Sequence, residues 1–241
     1  MKFSGGRTMG IWLTLGNPFV AELLGRLGFD WVVIDKQHGS IEWSDVGPAI
    51  QAIELGGSTA LVRVEWNSPD LIMRALDLGA AGVIVPMVST ADDARRAAEA
   101  ARYPPRGIRS FGPTRNYYSA DAEQIEPACI VMIETREALD NLNAIVNTPG
   151  VDGVFVGPAD LALALGVPIS VPMHDDVLRA IDTTVAACAG AGILAGAASF
   201  TVQNAAEFLK QGIRLLSLGA DVSYLKRGAQ PDIDFLKGAA R

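Results

Sequence analysis

The sequence predicts an α/β protein, a single-domain (β/α)8 TIM barrel over residues 1–241. Three observations predict it. Eight short apolar runs recur along the chain, stretches of helical period separate them, and the 241-residue length suits one such barrel, about 250 residues being typical. The runs do not alternate polar with apolar residues, so they read as parallel strands buried on both faces.

The first run is "GIWLTLG" (10–16), followed by the helix-like "PFVAELLGRLG". Next come "WVVIDKQHG" (31–39), "ALVRV" (60–64) with "PDLIMRALDLG" behind it, and "GVIVPMV" (82–88) with "ADDARRAAEAAR". The second half supplies "CIVMIE" (129–134), "GVFVGPADL" (153–161), "GILAGAASF" (192–200) with "VQNAAEFLKQG", and "LLSLGAD" (215–221). Many of the helical pieces end in Gly, which suits a left-handed helix cap. A doubly wound open sheet is the alternative. It would be favoured by a glycine-rich dinucleotide loop after the first strand, and "LTLGNPFV" lacks that pattern.

Hydrophobic residues make up 49% of the chain and charged residues 20%, as expected for a large core in a soluble protein. No apolar run reaches the roughly 18 residues a membrane span needs. The N-terminal "MKFSGGRTMGIWLTLGNPF" lacks a signal-peptide layout, so a cytoplasmic location is expected. Net charge is -7, without a basic cluster, which argues against a nucleic-acid partner. Cys129 and Cys188 lie in apolar stretches and read as core residues. Two segments break the alternation. "YPPRGIRSFGPTRNYYSADAEQIEP" (103–127) is long enough to be functional or an interface element. "GVPISVPMHDD" (166–176) carries His174, read as a surface residue at a helix start.

Barrel chemistry sits at the C-terminal ends of strands. Those ends offer Asp35, Gln37, His38, Arg63, Glu65, Glu134, Asp160, Ser199 and Asp221. Glu134 and Asp160 end adjacent strands, and two close carboxylates repel unless a cation lies between them. Mg²⁺ is typically held by one or two carboxylates, with waters and substrate oxygens completing the shell. Asp160 also reads as an N-cap for "LALALG". The turn "GPAD" is shaped to offer backbone N–H groups to an anion. Arg63 is either a salt-bridge partner of a neighbour such as Glu65 or a fixed charge for a developing oxyanion. A metal, an arginine and a histidine together point to carbon–carbon or proton chemistry beside a carbonyl. His38 is then the general base, with a carboxylate setting its tautomer. If the strand continues through it, Lys36 shares a side with His38, and a Schiff-base role for it is the alternative.

These residues resemble the HpcH/HpaI family of metal-dependent, class II pyruvate aldolases. The likeness rests on "FDWVVIDKQHG", on "VRVEWNSPDLIMRALDLGAAGVIVPMVSTADDARRAAEAARYPPRGIRS", on "IETREALDNLNAIVNTPGVDGVFVGPADLALALG" and on "SLGADVSYL". The resemblance implies a barrel assembled as a hexamer, a trimer of dimers, with a C-terminal helix exchanged between subunits. It implies a divalent cation, Mg²⁺, Mn²⁺ or Co²⁺, on Glu134 and Asp160. Arg63 would stabilise a pyruvate enolate. His38 and Asp35 would form the acid–base machinery, with Asp77 joining them, within the chain or across a subunit boundary. The turn of Gly157, Pro158 and Ala159 would receive the substrate carboxylate, and Arg115 would be a second active-site arginine. The implied reaction is reversible cleavage of a 4-hydroxy-2-oxo acid to pyruvate and an aldehyde. Two positions depart from the family pattern: Met132 stands where the aldolases carry Gln, and Gln37 where an acidic residue is frequent. Met132 should share the inward face of its strand with Glu134. These departures keep open a related lyase, decarboxylase or condensing enzyme for oxaloacetate or an acyl-thioester, and a non-catalytic oxo-acid-binding barrel.

Overall fold

Eight parallel strands hydrogen-bond in chain order, and the last pairs back on the first, closing a barrel. The computed structural model describes Gly6, residues 8–112, residues 114 and 115, and residues 126–239. Part of the segment 103–127 therefore lies outside the described residues. In chain order the elements are β1 (Thr8–Leu13), α1 (Pro18–Arg26), β2 (Trp31–Asp35), α2 (Trp43–Gly56), β3 (Thr59–Arg63), α3 (Pro69–Asp77), β4 (Gly82–Val85) and α4 (Ala91–Ala100). The second half contains β5 (Ala128–Ile133), the short α5 (Arg136–Asp140) and α6 (Leu142–Val146), β6 (Gly153–Val156), α7 (Pro158–Leu165), α8 (Asp175–Ala191), β7 (Leu194–Ala198), α9 (Val202–Gln211), β8 (Leu215–Ala220) and α10 (Asp221–Ala239). The closed sheet excludes the doubly wound alternative.

The strands bury both faces, which is why their sequences do not alternate. The outward face packs on the helices through residues such as Val32, Ile34, Val62, Val131 and Val154. The inward face fills the barrel with Trp12, Trp31, Val33, Leu61, Ile84, Ile130, Met132 and Phe155. Phe155 meets Trp12 edge-on at 5.6 Å and Trp31 at 6.4 Å. Gly10 makes room for this stack: a Cβ there would fall 2.0 Å from the Trp31 ring.

Local sequence fixes the helix ends. Asn17 accepts from the Phe19 N–H ahead of Pro18, and Thr90 forms a reciprocal capping box with Asp93. His174 caps α8 by accepting from the Asp176 N–H at 3.2 Å, as its place at a helix start predicted. Gly57, Gly166, Gly192 and Gly212 end their helices in the left-handed conformation. Cys129 and Cys188 are free and buried, and burial pushes both thiols up to about 12. No helix among the described residues is long and apolar enough to cross a membrane.

Candidate active site

β2 and β3 run in register, so their last residues, Asp35 and Arg63, are direct neighbours. Both follow the inward alternation set by Val33 and Leu61. Arg63 donates from Nε to Asp35 Oδ1 at 2.9 Å and from Nη2 to Oδ2 at 2.6 Å. This is a two-pronged, charge-assisted pair, 8% and 2% exposed. The guanidinium lies over Trp12, 4.5 Å from the ring centroid. Its third nitrogen, Nη1, faces Met132 Sδ at 4.0 Å. A thioether is a weak acceptor, so Nη1 keeps its capacity to bind an oxyanion. Glu65 is not the partner of Arg63. It accepts from Trp43 Nε1 at 2.9 Å and lies 3.6 Å from Lys36.

Glu134 follows β5 directly and is 2% exposed. Oε1 accepts from the Met87 N–H at 2.7 Å. Oε2 faces Gly157, where a Cβ would lie 2.8 Å from it and would push the carboxylate aside. Burial pushes the Glu134 carboxyl above the ordinary carboxylate range, and the nearby Asp160 charge pushes the same way; the Met87 N–H and Arg63 oppose them. Asp160 is an exposed residue in the first turn of α7. It is not the N-cap, a position that Gly157 takes. The Gly157 N–H is spent on Ile133 O at 3.3 Å, and Pro158 has none to give. Ala159 and Asp160 therefore carry the free N–H groups of this helix start.

Two carboxylates near enough for the charge of Asp160 to act on Glu134 make an all-oxygen pair that suits a hard divalent cation. The Asp160 charge that raises the Glu134 carboxyl is the tension such a cation would relieve. Among the described residues, no group of three or more His, Cys, Asp or Glu is placed to hold a metal.

The raised Glu134 carboxyl has a consequence for stability. A carboxyl raised by folding is protonated more readily in the native state than in the unfolded chain. It therefore weakens the metal-free fold above its folded-state range, and the deficit disappears once the pH falls below the unfolded range. Glu134→Gln is expected to raise the unfolding temperature of the metal-free protein at neutral pH, by about 2–4 °C per kcal/mol relieved. The gain should vanish below about pH 4. Thermal unfolding at pH 7.5 and pH 3.5 checks it.

Not all expected partners meet in one chain. The strand alternation stops at Asp35, because residues 36–38 form a turn. Asp35 Oδ1 accepts from the backbone N–H of Gln37 at 3.1 Å and of His38 at 3.3 Å. His38 is exposed at the rim, and Asp35 touches its backbone, not its ring. No carboxylate sets its tautomer among the described residues. Lys36 points away from the barrel interior, donating to Ile41 O and resting over Trp43 at 5.3 Å, which removes the Schiff-base alternative.

Asp77 ends α3, at the barrel end where strands begin, and is paired with Arg109 at 2.8 Å. Arg115 is at that same end: its N–H donates to Asp77 O at 3.1 Å and its guanidinium pairs with Glu54. A single chain cannot bring Asp77 or Arg115 to the rim of His38, Arg63 and Glu134. Ser199 and Asp221 are structural: Ser199 donates to Ser217 O at 2.8 Å, and Asp221 accepts from the Thr14 and Leu15 N–H groups, tying the start of α10 to the loop after β1.

Three contributors escaped the sequence reading. Trp12 carries no mark that separates a cation-supporting ring from a core ring. The close approach of Gly157 to Glu134 depends on tertiary contact. Met87 acts through its backbone, which residue identity does not reveal.

With this geometry in place, the family can be assigned. Residues 8–227 match the model of the HpcH/HpaI aldolase/citrate lyase family. The chain belongs to that family. An HpcH/HpaI relative, the 4-hydroxy-2-oxo-heptane-1,7-dioate aldolase of Salmonella heidelberg (strain SL476), is 38% identical over 94% of this chain and 89% of its own. A solved HpcH/HpaI aldolase/citrate lyase family protein from Burkholderia cenocepacia J2315 superposes with a TM-score of 0.87 at 34% identity, covering 96% of this chain and 95% of that one. Citrate synthase SbnG superposes at 0.88 with 27% identity, covering 98% and 95%. The aldolase relatives place this HpcH/HpaI chain among the lyase enzymes.

Proposed function

We propose that this enzyme reversibly cleaves a 4-hydroxy-2-oxo acid to pyruvate and an aldehyde, with Mg²⁺, Mn²⁺ or Co²⁺ held by Glu134 and Asp160. The observation that carries this reading is the buried Arg63, locked on one edge by Asp35 and offering Nη1 beside the carboxylate pair. The aldolase named for its Salmonella relative agrees with it. A cation bound there supplies Lewis-acid polarisation of the oxo acid and neutralises the carboxylates. Arg63 Nη1 donates to the oxygen that gains charge as the enolate forms, an interaction stronger in the transition state than in the substrate. The Ala159 and Asp160 N–H groups receive the substrate carboxylate. In cleavage His38 takes the proton of the 4-hydroxyl through a water, the C3–C4 bond breaks to aldehyde and enolate, and protonation of the enolate at its methyl carbon gives pyruvate.

His38 needs an orienting carboxylate, and none among the described residues of its own chain contacts its ring. Asp77 of a neighbouring subunit fills that role in this reading, with Arg115 as a second active-site arginine. Leu225, Phe235 and Leu236 of α10 are 62%, 75% and 66% exposed, which fits exchange of that helix in a hexamer built as a trimer of dimers.

Pyruvate release from 4-hydroxy-2-oxoheptane-1,7-dioate, followed through lactate dehydrogenase, tests the reading. Release should stop on chelation and return with added Mg²⁺, Mn²⁺ or Co²⁺. Release that ignores chelation would remove the metal from the mechanism. A second reading is favoured by Met132 and by the likeness to citrate synthase SbnG: condensation onto oxaloacetate or an acyl-thioester at the same site. Product formed only from those substrates would replace the first reading.

A further inference from the structure

Among the described residues, Met87 is the only non-glycine residue with positive φ, at 55°. A side chain makes this backbone region unfavourable, and such residues persist where the surroundings hold them. Met87 sits in the turn beyond β4, in "VPMV", after Val85 and Pro86. Its side chain is 37% exposed, so it is not a core anchor that would account for the conformation. Its backbone makes one specific contact. The N–H reaches the next strand's Glu134 and donates to Oε1 at 2.7 Å. The other carboxylate oxygen is the one that packs against Gly157.

We propose that Met87 is a positioning residue for Glu134, its left-handed turn aiming the N–H at Oε1 so that Oε2 is the oxygen presented to the cation. This rests on the reading of Glu134 as a cation ligand. The contact itself does not depend on a cation. The consequence is a backbone requirement at position 87, not a side-chain one. Glycine adopts positive φ at no steric cost and should keep the N–H in place. Valine, branched at Cβ, resists this conformation and should pull the N–H away.

Mn²⁺ binding, read from the electron paramagnetic resonance signal of free Mn²⁺, tests the proposal in the wild type, Met87→Gly and Met87→Val. Glycine should bind within about twofold of wild type. Valine should bind roughly 10–100-fold more weakly, as expected when a partner of a metal ligand is lost. Equal affinity in all three would overturn the proposal. So would equal loss in both variants, which would assign the effect to the side chain.

A metal-free cycle separates this inference from the cation reading. Unfolding temperatures are compared for Met87→Val, Glu134→Ala and the double variant. If the turn is held for Glu134, Met87→Val lowers the temperature in wild type and much less in Glu134→Ala, where the turn can relax. Additive losses would overturn the contact. Absent Mn²⁺ binding in wild type, together with a non-additive cycle, would overturn the cation reading and leave the positioning of Glu134 standing.

Discussion

Arg63→Ala is expected to weaken both the fold and the reaction. The substitution strands Asp35, 2% exposed, without its counter-charge. Removing one partner of a buried pair destabilises by about 3–5 kcal/mol. Losing a preorganised donor to a developing oxyanion lowers turnover by roughly 10²–10³-fold. The two effects can be separated. Arg63→Ala with Asp35→Leu removes both charges and should recover much of the stability while turnover stays low. Arg63→Lys keeps the charge but not the two-pronged geometry, and should fold while remaining slow. Denaturant unfolding and turnover on one set of variants decide the matter. A stable, fully active Arg63→Ala would remove Arg63 from its proposed role.

Glu134→Ala should have the larger effect on chemistry. It removes the buried member of the proposed ligand pair. Metal affinity should fall below a useful level, and turnover at limiting metal by roughly 10³-fold or more, since the main electrostatic stabilisation goes with the cation. Asp160→Ala should act in the same direction, with little effect on stability because Asp160 is exposed. Isothermal titration with Mn²⁺ reads the affinity directly. Near-wild-type affinity in Glu134→Ala would end the ligand assignment.

The barrel was legible because its cause is local. Strands buried on both faces leave unbroken apolar runs, and helix ends carry terminal glycines that mark boundaries. The strand-end positions of Arg63 and Glu134 were legible for the same reason: alternation fixes the inward direction of Arg63, the last paired residue of β3, and carries to Glu134, one residue past β5. It fails where the chain turns after Asp35. His38 lies beyond Asp35 in a turn, so strand geometry says nothing about its ring. Sequence spacing also could not separate the two ends of the barrel for Asp77 and Arg115, which lie before strands and not after them. Nor could it choose between Asp35 and Glu65 as the partner of Arg63. That choice follows from the register that sets Asp35 beside Arg63.

Exchange of pyruvate methyl protons with deuterium, followed by NMR, tests the central claim most directly, because it isolates enolate formation from any choice of aldehyde. The metal-stripped protein should show no exchange. Adding Mg²⁺, Mn²⁺ or Co²⁺ should start it, and Arg63→Ala or Glu134→Ala should abolish it. Folded wild-type protein that exchanges no protons with any of the three metals, or that exchanges equally well without one, would contradict the account.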